Sequence, residues 1–340
     1  MGTHELNDVA RAIVADHKGI LAADESTGTI KKRFDSIGVE STEEHRRFYR
    51  QLLFTTPGME DSIGGVIMYD ETLRQSADDG TPFAELLASK GVVPGIKVDT
   101  GAQDLAGFPG EKVTEGLDGL RGRLEEYYAL GARFAKWRAV ITIGDGIPTG
   151  ACLHANAHAL ARYARLCQEA GIVPIVEPEV LMDADNTIER CYDVTARTLH
   201  TMFGELARQK VDLGGTLLKP NMVISGKQCS EQAPTNRIAE LTVRCFMNHV
   251  PAAIPGIVFL SGGQSELEAT ENLDSINKIG GPWPLSFSYG RALQASALEA
   301  WAGEAGNAEA AQAIYAHRAR MNALAAAGEW SAELEQPVAA

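Results

Sequence analysis

Eight short apolar runs recur along the chain, each giving way to glycine, proline or charged residues. They are GILAADES from Gly19, GGVIMYDE from Gly64, GVVPGIKVD from Gly91 or Val92, FAKWRAVI from Phe134, VPIVEPEV from Val173, TLLKPNMV from Thr216, GIVFLSGG from Gly256 and LSFSYGRA from Leu285. Their starts lie roughly 30–45 residues apart, enough for one strand, one helix and two loops. Segments between them carry helical periodicity, as in NAHALARYARLCQEAG (156–171), which stops at a glycine. Eight β-then-α units predict an α/β fold, a single (β/α)8 barrel domain over residues 1–340 with extra N- and C-terminal helices. No linker or low-complexity stretch divides it, and the alanine-rich tail from Asn307 reads as one more helix and a loose end.

Strand periodicity gives the polar residues a direction. In KWR, Lys136 and Arg138 share a face while Trp137 points the other way, and in EPE, Glu177 and Glu179 flank Pro178 in the same manner. Asp24, Lys97 and Lys219 also fall late in their runs. In a barrel of this kind the C-terminal strand ends form the mouth, so these charges converge on one pocket. A single charge near a strand end is more often a solvated loop residue, but recurrence in most of the runs favours a site. Lys219 is the sharpest case: it interrupts an apolar run, where an unpaired ammonium costs several kcal/mol. Pro220 behind it cannot donate to a ladder and is expected to turn the strand end out of the sheet.

Two stretches could hold anions. Ser261, Gly262 and Gly263 follow the seventh run and expose backbone N–H groups, with Gly290 and Arg291 closing the nest from the eighth. The loops after the last two strands are the usual phosphate site of such barrels. The second stretch is DESTGTIKKR, with Ser26, Thr27 and Thr29 at a strand-to-helix junction and Arg33 one turn on. Taken alone, it reads better as an ordinary helix N-cap. Anion sites on opposite sides of one mouth would suit a bisphosphate.

The net charge of −14 argues against nucleic-acid or anionic-membrane partners, and no apolar run approaches the roughly 18 residues of a membrane span. Five widely spaced cysteines with no C-x-x-C pair, and an N-terminus without an apolar signal core, suit a reduced, cytoplasmic protein. Position 6 is Leu6, which breaks the myristoylation pattern. Other motifs fail on their own terms. HANAH sets His154 and His158 four apart but lacks the glutamate of H-E-x-x-H. GDGIPTG (144–150) has a displaced third glycine, and Gly226-Lys227 is followed by Gln228 rather than Ser or Thr. Neither a metal nor a cofactor is called for.

With these residues placed, the sequence resembles the class I fructose-bisphosphate aldolases from about Asn7 to Tyr315. The likeness rests on GILAADESTGTIKKR, GGVIMYDETL, GIKVDTG, FAKWRAVI, GIVPIVEPEV, GTLLKPNMV, FLSGGQSE and FSYGRALQASAL. It implies that Lys219 forms a Schiff base with a ketose and Asp24 accepts the proton of the carbon-4 hydroxyl. It further implies that Glu177 handles protons with support from Glu179, and that Lys136 and Arg138 supply positive charge. Ser261, Gly262, Gly290 and Arg291 would hold the carbon-1 phosphate, and Ser26, Thr29 and Lys97 the carbon-6 side. A lysine that attacks a carbonyl must be neutral, against a reference pKa of about 10.4. Burial and the cation Lys136 nearby are both expected to favour that form. The resemblance also implies a homo-oligomer, commonly a tetramer. Many animal and plant relatives end in a tyrosine that covers the site; here the last tyrosine is Tyr315 and the chain closes SAELEQPVAA. Fructose 1-phosphate and sedoheptulose 1,7-bisphosphate remain alternative substrates. A zinc-dependent aldolase or isomerase on the same barrel, and a barrel kept as a binding scaffold, are the rival readings.

Overall fold

The computed structural model describes residues 3–336. Its strands, in chain order, are β1 (Gly19–Ala23), β2 (Ile63–Met68), β3 (Val93–Lys97), β4 (Gly101–Asp104), β5 (Lys112–Glu115), β6 (Phe134–Ile141), β7 (Val173–Val180), β8 (Leu217–Leu218), β9 (Ile257–Phe259) and β10 (Leu285–Tyr289). Eight of them close a parallel barrel in the order β1-β10-β9-β8-β7-β6-β3-β2, the (β/α)8 architecture expected from the runs. The remaining pair, β4 and β5, forms an antiparallel hairpin beside the barrel. The sequence gives no hint of this hairpin, because its eight mostly polar residues carry no apolar alternation.

The longest ladder joins β6 to β7 and sets Lys136 opposite Ile175, with Arg138 opposite Glu177. Lys97 on β3 pairs with Lys136 on β6. Residues of the opposite parity face the helices: Trp137 packs on Tyr163 of the helix Gly150–Glu169, ring centroids 5.5 Å apart. The Tyr163 hydroxyl donates to the Ala135 carbonyl at 2.7 Å, pinning that helix to β6.

The barrel interior has its own core. Ile20, Ala22, Ile67, Phe134, Val173, Ile175, Leu217 and Val258 fill it, and Leu6, Ala10 and Ile13 of the N-terminal helix Thr3–Ile13 plug it from below. Burying a side chain such as Leu6 or Ile13 contributes about 1.5–3 kcal/mol. The plug sits so close to β2 that a Cβ on Gly64 would lie 2.1 Å from the Ile13 carbonyl oxygen. At the other end of the chain, the helix Ala308–Ala327 buries Ala311, Tyr315 and Ala319. No helix among the described residues is long and apolar enough to cross a membrane.

Pro220, which has no N–H to donate, lies past the end of β8, yet its carbonyl still accepts from Leu260 N–H at 3.0 Å. Lys219 N–H still donates to Val176 O at 2.9 Å, and the side-chain oxygen of Asn221 accepts from Val180 N–H at 3.0 Å. A proline carbonyl remains a competent acceptor, and the asparagine side chain takes over where the backbone ladder stops.

Gly64→Ala is expected to displace the N-terminal plug and cost about 1–3 kcal/mol, as overpacking does. A urea transition with an unchanged midpoint and slope would show that the plug tolerates the extra carbon.

Candidate active site

A cavity of about 530 Å³ opens at the C-terminal ends of the barrel strands. Among the side chains the sequence points to, it is lined by Asp24, Lys97, Lys136, Arg138, Glu177, Glu179 and Lys219, with Ser26, Thr29, Ser261, Gly262, Gly290 and Arg291 at its ends. Alternation brings them together. Phe134, Ile175 and Leu217 lie in the interior apolar core, and Lys136, Glu177 and Lys219 stand two residues further along the same strands.

At its floor four charged groups form one network. Lys136 Nζ lies 2.6 Å from Asp24 Oδ2 and 3.4 Å from Glu177 Oε2, and Glu177 Oε1 lies 3.2 Å from Lys219 Nζ. Side-chain exposures of 3–5% for Lys136, Glu177 and Lys219 put these charges out of reach of bulk water. Burial alone would push Asp24 up, but Lys136, Lys219 and Lys97 outweigh it and hold the carboxyl well below the ordinary range. Burial likewise opposes the charge of Lys136, yet Asp24 and Glu177 hold its pKa well above the usual lysine value. The two lysines are therefore not equivalent. Two carboxylates keep Lys136 an ammonium, whereas the ion-pair partner of Lys219 among the described residues is Glu177, whose carboxylate bridges the two nitrogens. An amine and a carboxylate 3.2 Å apart can exchange a proton directly.

Nearer the rim the pairs are more open. Arg138, its side chain 43% exposed, binds Glu179 through Nε. Burial lowers and Glu179 raises the guanidinium pKa, which ends above its usual value. Lys97 is held by Asp99, 2.7 Å from the carboxylate and 2.9 Å from its carbonyl.

The two ends of the cavity differ. After β9, Gly262 and Gly263 take φ of 58° and 89°, a left-handed pair that side chains disfavour, and the turn is closed by Gln264 N–H donating to Ser261 O at 2.9 Å. Next to it begins the helix Arg291–Trp301, whose N-cap Gly290 offers no side-chain acceptor, so its positive end is open. After β1, Ser26 sits at the N-cap of the helix Thr27–Asp35 without capping it. Its hydroxyl instead bonds Thr29 Oγ1 at 3.1 Å. Both hydroxyls line the cavity and Thr27 does not, which disfavours the ordinary N-cap reading.

The sequence reading passed over Glu25, which is 8% exposed and binds both Arg33 and, at 2.5 Å, Arg50. It lines the cavity with Asp24, and its place in the strand-end ADES was the available signal. Lys32, Asp183 and Ser288 also line the cavity unforeseen. His154 and His158 lie beside Glu205, and Gly144 and Ile147 pair in a turn before the capping residue Thr149. Among the described residues there is no cluster of three or more histidine, cysteine or acidic side chains able to hold a metal.

The sequence model of the family "Fructose-bisphosphate aldolase class-I" matches residues 5–340. The chain belongs to the class I fructose-bisphosphate aldolase family. It is 60% identical to the "Probable fructose-bisphosphate aldolase class 1" of Xanthomonas campestris over 97% of this chain and 99% of that one. With "Fructose-bisphosphate aldolase 6, cytosolic" of Arabidopsis thaliana it shares 54% identity over 93% and 88% of the two chains. The fold superposes on the Plasmodium falciparum aldolase, solved in complex with TRAP and a small molecule inhibitor, with a TM-score of 0.95 and 50% identity over 96% and 95% of the chains. An aldolase of this family is a carbon–carbon lyase, and the cavity at the barrel mouth is where such chemistry has to be sought.

Because the Asp24 pKa is lowered from an ordinary 3.8, the stability this carboxylate contributes is present above that value and is lost only as pH falls through the lower folded value. Asp24→Ala, which strands Lys136 with one carboxylate, is expected to cost about 3–5 kcal/mol. The gap from wild type should hold from pH 8 down to 5 in denaturant titrations. A gap that closes already between pH 6 and 5 would mean that the carboxyl is not held down by its lysines.

Proposed function

We propose that this protein is a class I fructose-1,6-bisphosphate aldolase that cleaves its substrate reversibly to dihydroxyacetone phosphate and glyceraldehyde 3-phosphate through an imine on Lys219. The observation that carries this reading is the 3.2 Å approach of Lys219 Nζ to Glu177 Oε1 within a buried network that also holds Asp24.

Lys219 passes a proton to Glu177 and the freed amine attacks the carbon-2 ketone. Glu177 returns the proton to the carbinolamine oxygen, water leaves, and the imine forms. Its protonated nitrogen draws electrons from the carbon-3–carbon-4 bond. Asp24 accepts the carbon-4 hydroxyl proton, the bond breaks, the aldehyde departs and an enamine remains on Lys219. Protonation at carbon 3 and attack of water on the imine then release dihydroxyacetone phosphate and restore the amine. Lys136 stays positively charged throughout and keeps Asp24 ionised until the proton arrives, while Glu179 anchors Arg138 at the rim. Ser261, Gly262, Gly290 and Arg291 receive the carbon-1 phosphate. Ser26, Thr29 and Lys97 face the carbon-6 side, supplemented there by Lys32 and Arg33. The imine supplies the electron sink, so the reaction needs neither metal nor cofactor. The cytosolic Arabidopsis relative supports a cytoplasmic location, and the family resemblance supports a homotetramer.

Borohydride added with fructose 1,6-bisphosphate is expected to label Lys219 covalently, as read by peptide mass, and to leave Lys219→Met unlabelled and inactive. Labelling that persists in the mutant moves the nucleophile elsewhere. Glu177→Gln should lower kcat by roughly 10²–10⁴-fold, the usual contribution of a positioned acid–base group. Turnover should continue undiminished in a chelator, whereas chelator sensitivity would favour a metal-assisted route. Relative kcat/KM on fructose 1,6-bisphosphate, fructose 1-phosphate and sedoheptulose 1,7-bisphosphate reads the preference, with the first expected to lead.

A further inference from the structure

Gly226-Lys227 fails as a nucleotide-binding loop, yet the fold carries this lysine, from a pocket that adjoins the cavity, to the glycine turn the two share at Gly263. The loop after β8 lies along the loop after β7, joined by Gly226 N–H to Asn186 O (2.8 Å), Lys227 N–H to Met182 O (2.8 Å) and Gln228 N–H to Ala184 O (2.9 Å). The approach is tight enough that a Cβ on Gly226 would meet Ala184 O at 2.1 Å. This seam carries the Lys227 side chain over the turn that follows β9. There the Cβ position of Gly263 lies 2.4 Å from Lys227 Nζ and 3.1 Å from Arg291 Nη2. The two cationic nitrogens are thus at most the sum of these, 5.5 Å, apart. Like charges so close favour an anion between them. Arg291 has no ion-pair partner among the described residues, and Lys227 has only Asp183 at 3.2 Å, whose carboxylate is 66% exposed. An ion pair this open to water is weak and gives way to a doubly charged competitor.

We infer that Lys227 is a specificity-determining residue that binds, together with Arg291, the phosphate on the ketone side of the substrate. The inference rests on the proposed aldolase reading, because it assigns that end of the cavity to the carbon-1 phosphate. On binding, the phosphate takes the place of Asp183 at the Lys227 ammonium while the glycine N–H groups hold its other oxygens. Lys227 makes no contact with the reacting carbons, so it acts on affinity and not on bond cleavage. Specificity follows because a ketose without a phosphate at carbon 1 leaves two like charges facing each other.

The test compares Lys227→Gln with wild type and with Lys227→Arg. In Lys227→Gln, KM for fructose 1,6-bisphosphate and for fructose 1-phosphate should rise together by roughly tenfold or more, the weight of a charge-assisted hydrogen bond. The kcat should stay within about twofold, because the interaction is the same in ground and transition states. Inorganic phosphate, titrated directly by calorimetry, should bind correspondingly more weakly, and Lys227→Arg should recover most of the loss. Unchanged phosphate affinity in Lys227→Gln overturns the inference, as does a KM effect confined to the bisphosphate, which would place the lysine at the other end. Borohydride trapping on Lys219 in the same preparations separates the two readings. Failure to trap in wild type sinks the aldolase mechanism, whereas trapping with unaltered KM in Lys227→Gln sinks only the role of Lys227.

Discussion

A charge inside a barrel has to be answered by another charge, and here four groups answer one another. Lys136 and Lys219 carry two ammonium groups into the mouth of the sheet, and Asp24 and Glu177 carry two carboxylates to meet them. Each alone would face a desolvation penalty of several kcal/mol. Together they are neutral in sum, and the apolar core of Phe134, Val173, Ile175 and Leu217 beneath them keeps water from loosening the set. Everything else serves this arrangement. The register of β6 against β7 fixes the distance from Lys136 to Glu177, the plug of Leu6 and Ile13 seals the lower end, and Trp137 locks the strand to its outer helix. The network is also unevenly shared. Lys136 is gripped from two sides and stays a cation, whereas Lys219 meets one carboxylate, Glu177, among the described residues.

The fold was legible because barrel strands are short, apolar and regularly spaced, and because alternation assigns inside and outside residue by residue. KWR and EPE alone identified four cavity-lining side chains by parity. What stayed hidden depends on contacts between distant segments. The hairpin β4–β5 is polar and carries no pattern to read. Nothing in LLKPNMV shows that Glu177, some forty residues earlier, stands between its lysine and Lys136. The continued ladder at Pro220 depends on a neighbour, Leu260, that only closure of the barrel brings near. Lys227 is the clearest example, since the failed nucleotide motif around it says nothing of the seam to residues 182–186 that brings it to the turn after β9.

The protein as a whole is acidic, with 45 carboxylate side chains against 31 lysines and arginines, yet its cavity gathers Lys32, Arg33, Lys97, Lys136, Arg138, Lys219 and Arg291. Net charge therefore says little about which small ion enters. Beyond about 8–10 Å physiological salt screens the surface carboxylates, while a recessed cavity with low-dielectric walls keeps its own field. Several of those cations are already matched: Arg33 by Glu25, Lys97 by Asp99, Arg138 by Glu179. The matched ones shape the walls at little cost in repulsion. Arg291, without an ion-pair partner among the described residues, leaves a positive surplus beside the glycine turn after β9.

The same economy bears on how an enamine on Lys219 would regain its proton. Tyr315, the last tyrosine of the chain, is fully buried in the helix Ala308–Ala327, and no tyrosine among the described residues lines the cavity. Among the described residues, the groups that line the cavity are the candidate donors in the proposed mechanism. Asp24 has just taken the carbon-4 proton, but a carboxyl held far below its usual pKa is a strong acid and gives that proton up readily, with Lys136 stabilising the anion left behind. Glu177 is engaged with the imine nitrogen. In the proposed mechanism Asp24 thus holds the proton removed in cleavage, and the lysines around it favour the anion once that proton is given up.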